Sequence, residues 1–234
     1  MNISAGSIAD FILGLIYPPK CMVCKNVKYG LDKTLICKDC FNYLDFIGEE
    51  ALQAGELAIQ YDNNQYLNGI FFVFWYDEII SSLIKQSKYN NHPVYNKGFA
   101  HFMADYYNKY IKLDIDFIAP VPIHKNKLKS RGFNQAAVLG SEFSKIMNIP
   151  FISDLIIRSQ DTKPQSGLSK LSRRNNVEGA FTFNKKYLVN YKKVLIIDDI
   201  YTTGSTLNSC AKVLTDNGAI GVYGFCFSKT SQKK

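Results

Sequence analysis

Val194-Leu-Ile-Ile-Asp-Asp-Ile-Tyr-Thr-Thr-Gly-Ser-Thr206 is the stretch on which the reading of this chain turns. Val194 to Ile197 form an unbroken aliphatic run, which predicts a strand buried on both faces of a parallel sheet. Asp198 and Asp199 follow at the expected end of that strand. A short loop of hydroxyls comes next, Thr202, Thr203, Ser205 and Thr206, around the single Gly204. Leu207, Cys210, Ala211 and Leu214 then fall on one face of a helix, and Asn217-Gly218 stops it. In such a strand–loop–helix unit the loop N–H groups and the positive helix N-terminus cradle a phosphate. The hydroxyls add donors, and Gly204 lets the backbone approach the ligand.

Two carboxylates beside an anion cradle repel phosphate, so the ligand should carry something else between its phosphates. A ribose fits, because its hydroxyls can reach carboxylates directly or through Mg²⁺. No G-x-x-x-x-G-K-[ST] occurs, and one glycine cannot supply G-x-G-x-x-G. A buried strand with a polar turn and a Ser/Thr helix cap is the alternative. The stretch resembles the phosphoribosyl pyrophosphate (PRPP) signature of type I phosphoribosyltransferases. That resemblance implies ribose and Mg²⁺ at Asp198 and Asp199, with the 5′-phosphate at Thr202, Thr203, Gly204, Ser205 and Thr206.

The remaining sequence bounds the rest. The 234 residues suffice for one α/β domain and a small accessory module. A formal charge of +8 favours anionic partners. No apolar run approaches the roughly eighteen residues that span a bilayer. Residues Ser4 to Tyr17 read as a short amphipathic helix ended by Pro18 and Pro19; without a basic leader, and with Asp10 inside, they do not read as a signal peptide. A cytoplasmic, reducing location is expected, which bears on the cysteines. Cys21-Met-Val-Cys24 and Cys37-Lys-Asp-Cys40 are two C-x-x-C pairs, spaced to meet as a structural Cys₄ zinc site. Disulfides or plain buried thiols are the alternatives, and Lys20, Lys25 and Lys38 would offset thiolate charge. Cys210 and Cys226 look like core residues.

Phe41 to Gln60 reads as a broken helix, Ile70 to Tyr76 as a strand, and Asp77 onward as a helix closed by Lys85 and Lys88. Pro93 opens another helix to about Tyr110, with Phe99, Phe102, Met103 and Tyr106 inward. His92 and His101 have no partner at metal spacing. Phe117 to His124 reads as a second strand with a proline-flanked exit. Lys125, Lys127, Lys129 and Arg131 follow at every second position; after a strand's carboxyl end they are expected on the phosphate rim as a pyrophosphate site, with a solvated turn as the alternative. Gly132-Phe-Asn-Gln135 then starts a helix. Ser159 to Gly179 are polar and lack apolar periodicity, as a functional loop would.

Pro120-Val-Pro-Ile-His124, Arg131-Gly-Phe-Asn-Gln135 and the scattered Arg158, Thr162, Gln165, Leu168, Arg173, Asn176-Val177 and Gly179-Ala-Phe181 resemble the ComF family of phosphoribosyltransferase-like proteins. The four-cysteine module has the family's usual placement. The resemblance implies an α/β fold: a type I phosphoribosyltransferase-like domain with a mainly parallel sheet, preceded by a small zinc-binding module. The expected division is 1–45 for the zinc module, 46–112 for a connection built into the core, and 113–234 for the α/β domain. It also implies PRPP with Mg²⁺, and structural zinc on Cys21, Cys24, Cys37 and Cys40. Pyrophosphate contacts are expected from His124, Lys129 and Arg131, and from Lys163, Arg173 and Arg174 on a closing loop. DNA uptake in natural competence follows, with single-stranded DNA and other competence proteins as partners and no transmembrane segment. A metabolic phosphoribosyltransferase of nucleobase salvage or synthesis, and a zinc-bearing adaptor with a regulatory PRPP site, are the other readings.

Overall fold

A computed structural model describes residues 20–27, 35–48, 65–89, 93–159 and 179–230. The expected helix at Ser4–Tyr17, and Lys163, Arg173 and Arg174, lie outside the described residues. The elements in chain order are α1 (Lys38–Phe41), β1 (Gly69–Trp75), α2 (Glu78–Tyr89), α3 (Pro93–Tyr106), β2 (Phe117–Pro120), α4 (Lys125–Arg131), α5 (Gln135–Met147), β3 (Ile156–Arg158), β4 (Phe181–Phe183), β5 (Lys193–Tyr201), α6 (Ser205–Thr215) and β6 (Gly221–Lys229). A π-helical turn, Tyr107–Ile111, extends α3 and ends on Lys112 in the left-handed conformation.

Four strands form a parallel sheet in the order β1-β6-β5-β2. Strand β5 is central, and its Val194, Leu195, Ile196 and Ile197 are fully buried, as a two-sided core strand requires. Because side chains alternate, Leu195 and Ile197 join one core with Phe99, Phe102 and Phe143, while Val194 and Ile196 join the other with Leu207, Cys210 and Leu214. Helices α2, α3 and α5 contribute to the first layer, and α6 to the second. The mainly parallel α/β fold expected from the aliphatic run is therefore what the chain adopts.

Several elements differ from the sequence reading. Residues 42–48 do not continue as a helix: Phe46 bridges to Phe74 and the Ile47 N–H donates to the Val73 carbonyl, so this segment runs along the edge of β1, and the rest of the expected Phe41–Gln60 helix lies outside the described residues. Packing explains this, since the Phe46 ring sits 4.3 Å from that of Phe74 and 5.1 Å from that of Phe41. The basic run after His124 is helix α4 rather than a turn, with the His124 side chain accepting from the Asn126 N–H at its start. Strand β5 runs past the acid pair to Tyr201 because Asp198, Ile200 and Tyr201 stay paired with Cys226, Ser228 and Lys229 of β6. The apolar runs on either side of the polar stretch contribute a small antiparallel pair, β3 with β4.

Asn217-Gly218 stops α6 as expected. Gly218 has φ +96°, and a Cβ there would lie 2.7 Å from the Asn190 side-chain nitrogen. Gly218→Ala should cost about 1–2 kcal/mol, read as a lower urea midpoint at unchanged slope.

Candidate functional site

The chain's topology opens a cleft at the carboxyl end of the sheet. Strand β2 stops at Pro120, opposite Ile197, and after one more hydrogen bond from Val121 N–H to the Ile197 carbonyl the chain turns away. Strand β5 continues for four residues, so Asp198 to Tyr201 have a neighbour on the β6 side only. Connections leave β5 and β2 on opposite faces of the sheet, and such a switch point is where open α/β sheets gather ligands. The cleft holds about 640 Å³ and is lined by the acid pair, by Thr202, Gly204, Ser205 and Thr206, and by basic residues of three further elements.

Gly204 caps α6 with φ +75°, a conformation that suits glycine, and offers no side chain to the first-turn amides. Thr203 Oγ1 and Ser205 Oγ are 3.0 Å apart, so the hydroxyls are arranged across the turn. The hydroxyl turn and the acid pair thus share one rim.

The two acids are not equivalent. Asp198 points to the α6 side, over Cys210 and Cys226; burial, and then the neighbouring Asp199 charge, push its carboxyl well above the usual range. Its Oδ1 accepts the Asp199 N–H at 2.9 Å. Burial likewise pushes the thiols of Cys210 and Cys226 well up, with Asp198 adding to it. Asp199 points to the other side, where Lys88 Nζ stands 2.5 Å from its Oδ2 and the two side chains are 18% and 19% exposed.

A fan of cations faces this pair. Lys88 comes from the last turn of α2, Lys127 and Arg131 from one face of α4, and Arg158 from the end of β3. Partial burial, then Arg131, Lys88 and Arg158, lower the Lys127 pKa, while Asp199 opposes the shift. Crowded cations that lower one another's pKa are relieved by a bound anion.

The Gly-Phe-Asn-Gln segment fixes part of this fan. Gly132, at φ +84°, ends α4, and Asn134 caps α5 through Ala136 N–H while donating to the Val121 carbonyl. Buried Gln135 accepts from Arg131 at 3.3 Å and donates to Ser87 Oγ at 2.7 Å, which ties Arg131 to the helix carrying Lys88.

Of the sequence-expected residues, Asp198, Asp199, Thr202, Gly204, Ser205, Thr206, His124 and Arg131 line the cleft; Thr203 lies in the same turn, and Lys129 is exposed outside it. Lys127 replaces Lys129 because helical spacing, not alternation, selects the side chains that share a face with Arg131. Lys88 and Arg158 were not assigned to the site from sequence. In the sequence Lys88 is only a helix-end charge, and nothing local announces its pairing with a residue 111 positions later.

For a divalent ion the acid pair fits poorly. One Asp199 oxygen is held by Lys88 and one Asp198 oxygen by a backbone amide, whereas Mg²⁺ asks for open oxygen donors in near-octahedral array.

The four-cysteine site fits a metal well. The sulfurs of Cys21, Cys24, Cys37 and Cys40 all lie within 4.8 Å of one another; tetrahedral zinc with bonds near 2.3 Å needs about 3.8 Å between sulfurs. All six cysteines are free thiols rather than disulfides. The Cys37 N–H points at Cys21 Sγ at 3.4 Å, and Lys25 takes a left-handed φ of 62° in the first knuckle. Lys25 does not lie over the thiols: its ammonium bonds the Met22 carbonyl and Gln86 and reaches Tyr95, clipping the knuckle to α2 and α3. Cys21, Met22, Ile36, Cys37 and Cys40 belong to the same core as Phe74, Phe99 and Phe102.

Both halves have counterparts among known proteins. Residues 12–52 match the double zinc ribbon domain family, and their four cysteines supply one tetrahedral set. Competence protein F of Haemophilus influenzae is 38% identical over 110 residues, 46% of this chain and 48% of that protein. Aligned stretches thus span about half the length of the first curated relatives. Competence protein ComFC of Streptococcus pneumoniae is 28% identical over 207 residues, 83% of this chain and 87% of that protein. An adenine phosphoribosyltransferase structure from Leishmania donovani has a TM-score of 0.40 and 15% identity, covering 69% of this chain and 88% of that one. No helix among the described residues is long and apolar enough to cross a membrane. The resemblance to the ComF family drawn from the motifs is borne out: this is a chain similar to the competence proteins F and ComFC, with a zinc-ribbon-type module ahead of a parallel α/β domain.

Proposed function

We propose that the cleft binds PRPP and that the protein acts in DNA uptake, as the names of its relatives, competence protein and DNA utilization protein, suggest. The observation that carries the PRPP reading is one cleft lined by acid pair, hydroxyl turn and four cations. Asp198 and Asp199 hold the ribose hydroxyls, and Thr202, Thr203, Gly204, Ser205 and Thr206 hold the 5′-phosphate at the start of α6. Lys127, Arg131, Arg158 and His124 face the pyrophosphate, and Lys163, Arg173 and Arg174 would close over it from their loop. The lining residues account for phosphate and sugar, so the proposal is one of binding. Any transfer would rest on positioning and charge stabilisation at the ribose C1 and would show as base-dependent pyrophosphate release.

Calorimetric titration of the purified chain with PRPP, with and without single-stranded DNA, tests this reading; no heat of binding removes it. For the DNA role, the charge of +8 supports backbone contacts to single strands. Affinity for a mixed-sequence oligonucleotide should then fall linearly on a log–log salt plot, with a slope of about −0.7 per phosphate neutralised. A flat plot argues against DNA as a partner.

A further inference from the structure

The geometry points to Lys88 as the resident counter-cation of the acid pair: its ammonium takes the place beside Asp199 that a divalent ion would otherwise take, so the phosphorylated sugar binds without a metal requirement. The inference rests on the cleft being a PRPP site and adds to it how the site balances charge.

Three observations carry it. The first is the contact itself, Lys88 Nζ to Asp199 Oδ2 at 2.5 Å, with both side chains about four-fifths shielded from solvent. A pair held this way is not a loose surface bridge, and removing one partner leaves an uncompensated carboxylate beside a second one. The second is how Lys88 is placed. Its neighbour Ser87 is fully buried, donates to the Ile84 carbonyl at 2.9 Å and receives Gln135 at 2.7 Å, and Gln135 in turn accepts from Arg131. The last turn of α2 is therefore fastened to the helix that presents Lys127 and Arg131, which fixes where the Lys88 stem starts.

The third is the balance of charge. Lys88, Lys127, Arg131 and Arg158 line the cleft against Asp198 and Asp199 alone among its acids. The lining is already net positive, and a divalent cation would add to that excess. A multiply charged phosphate ester entering without metal offsets it. The oxygens left on the acid pair suit a different task, accepting hydrogen bonds from sugar hydroxyls. Lys88 is thus a positioning residue: it holds the Asp199 carboxylate in place and supplies locally the positive charge that the ribose end of the ligand meets.

The test is calorimetry of the full chain with PRPP, in excess EDTA and in excess Mg²⁺, on wild type, Lys88→Met and Lys88→Arg, with thermal melts confirming that each variant is folded. Wild type is expected to bind with affinities within about threefold in the two buffers, and Lys88→Arg to do the same. Lys88→Met is expected to lose at least about tenfold in EDTA and to recover most of it in Mg²⁺, because the ion then fills the vacated position. Wild-type binding that requires Mg²⁺ overturns the inference while leaving the PRPP site intact. So does a Lys88→Met loss of equal size in both buffers, which marks a merely structural lysine. Absence of PRPP binding by wild type in either buffer removes the site reading and this inference together, a result distinct from the other two.

Discussion

Asparagine at both Asp198 and Asp199 is expected to lower PRPP affinity at least about 100-fold. Each substitution puts an amide donor where a carboxyl oxygen accepts from a sugar hydroxyl, a loss of about 1.5–3 kcal/mol, and every 1.4 kcal/mol is tenfold. Calorimetry checks it, and unchanged affinity would mean that the acids do not touch the ligand. The same experiment has a second readout in stability. The Asp198 carboxyl is pushed well above its ordinary value by burial, so between the unfolded pKa and the folded one the native state holds the proton more firmly than the unfolded state does. Its contribution is therefore most favourable below the unfolded value, near 3.9, and declines as pH rises toward the folded pKa. Asparagine resembles the protonated form and does not titrate. Asp198→Asn alone should melt higher than wild type at pH 7 and show a smaller difference at pH 4. For a chain of this size each 1 kcal/mol moves the melting temperature by about 2–4 °C. A variant that binds worse yet melts higher is what a residue kept for its ligand should give; a lower melting temperature at pH 7 would contradict the burial argument.

Loss of the metal from the four-cysteine site should be the largest stability effect in the molecule. Structural zinc contributes roughly 10–16 kcal/mol of apparent binding free energy in isolated zinc-finger peptides at neutral pH, comparable with the whole stability of a domain. Here the loss should not stay local, since Cys21, Ile36, Cys37 and Leu44 pack in one core with Phe74, Ile80 and Phe102. Cys37→Ser, or exhaustive chelation, is expected to broaden the thermal transition and lower it by at least about 10 °C, with near-UV signals of the α/β domain changing too. Metal analysis of protein purified without chelator should give one zinc per chain. Full retention of the melting temperature after the metal is removed would show that thiol packing alone holds the module.

What could be read from the sequence was local. The Val194–Thr206 run announced strand, acids, turn and helix together because each sits in register with its neighbours, and the paired C-x-x-C spacing did the same for the thiols. The Gly-Phe-Asn-Gln segment was legible as a helix start, though not as the link that ties Arg131 to α2. The rest depends on tertiary contacts. Phe46 lies along β1 because Phe74 and Phe41 surround its ring, against a helical pattern in the sequence. The acids lie inside β5, not at its end, because β6 goes on pairing where β2 stops. Alternation along the basic run does not single out a face, whereas the helix there puts Lys127, not Lys129, beside Arg131. Lys88 and Arg158 reach the cleft from other elements of the fold, and no spacing rule joins residues so far apart.

The two cysteines beneath the acids have a practical consequence. Cys210 and Cys226 are fully buried with their thiols pushed well up, which leaves them unreactive toward alkylating reagents in the native fold. Maleimide labelling followed by mass spectrometry should therefore count four modified thiols when only the knuckle opens, and six when the sheet itself comes apart. Nature has left two silent sulfurs in the centre of the molecule, and they can serve as an internal clock for the order in which its halves let go.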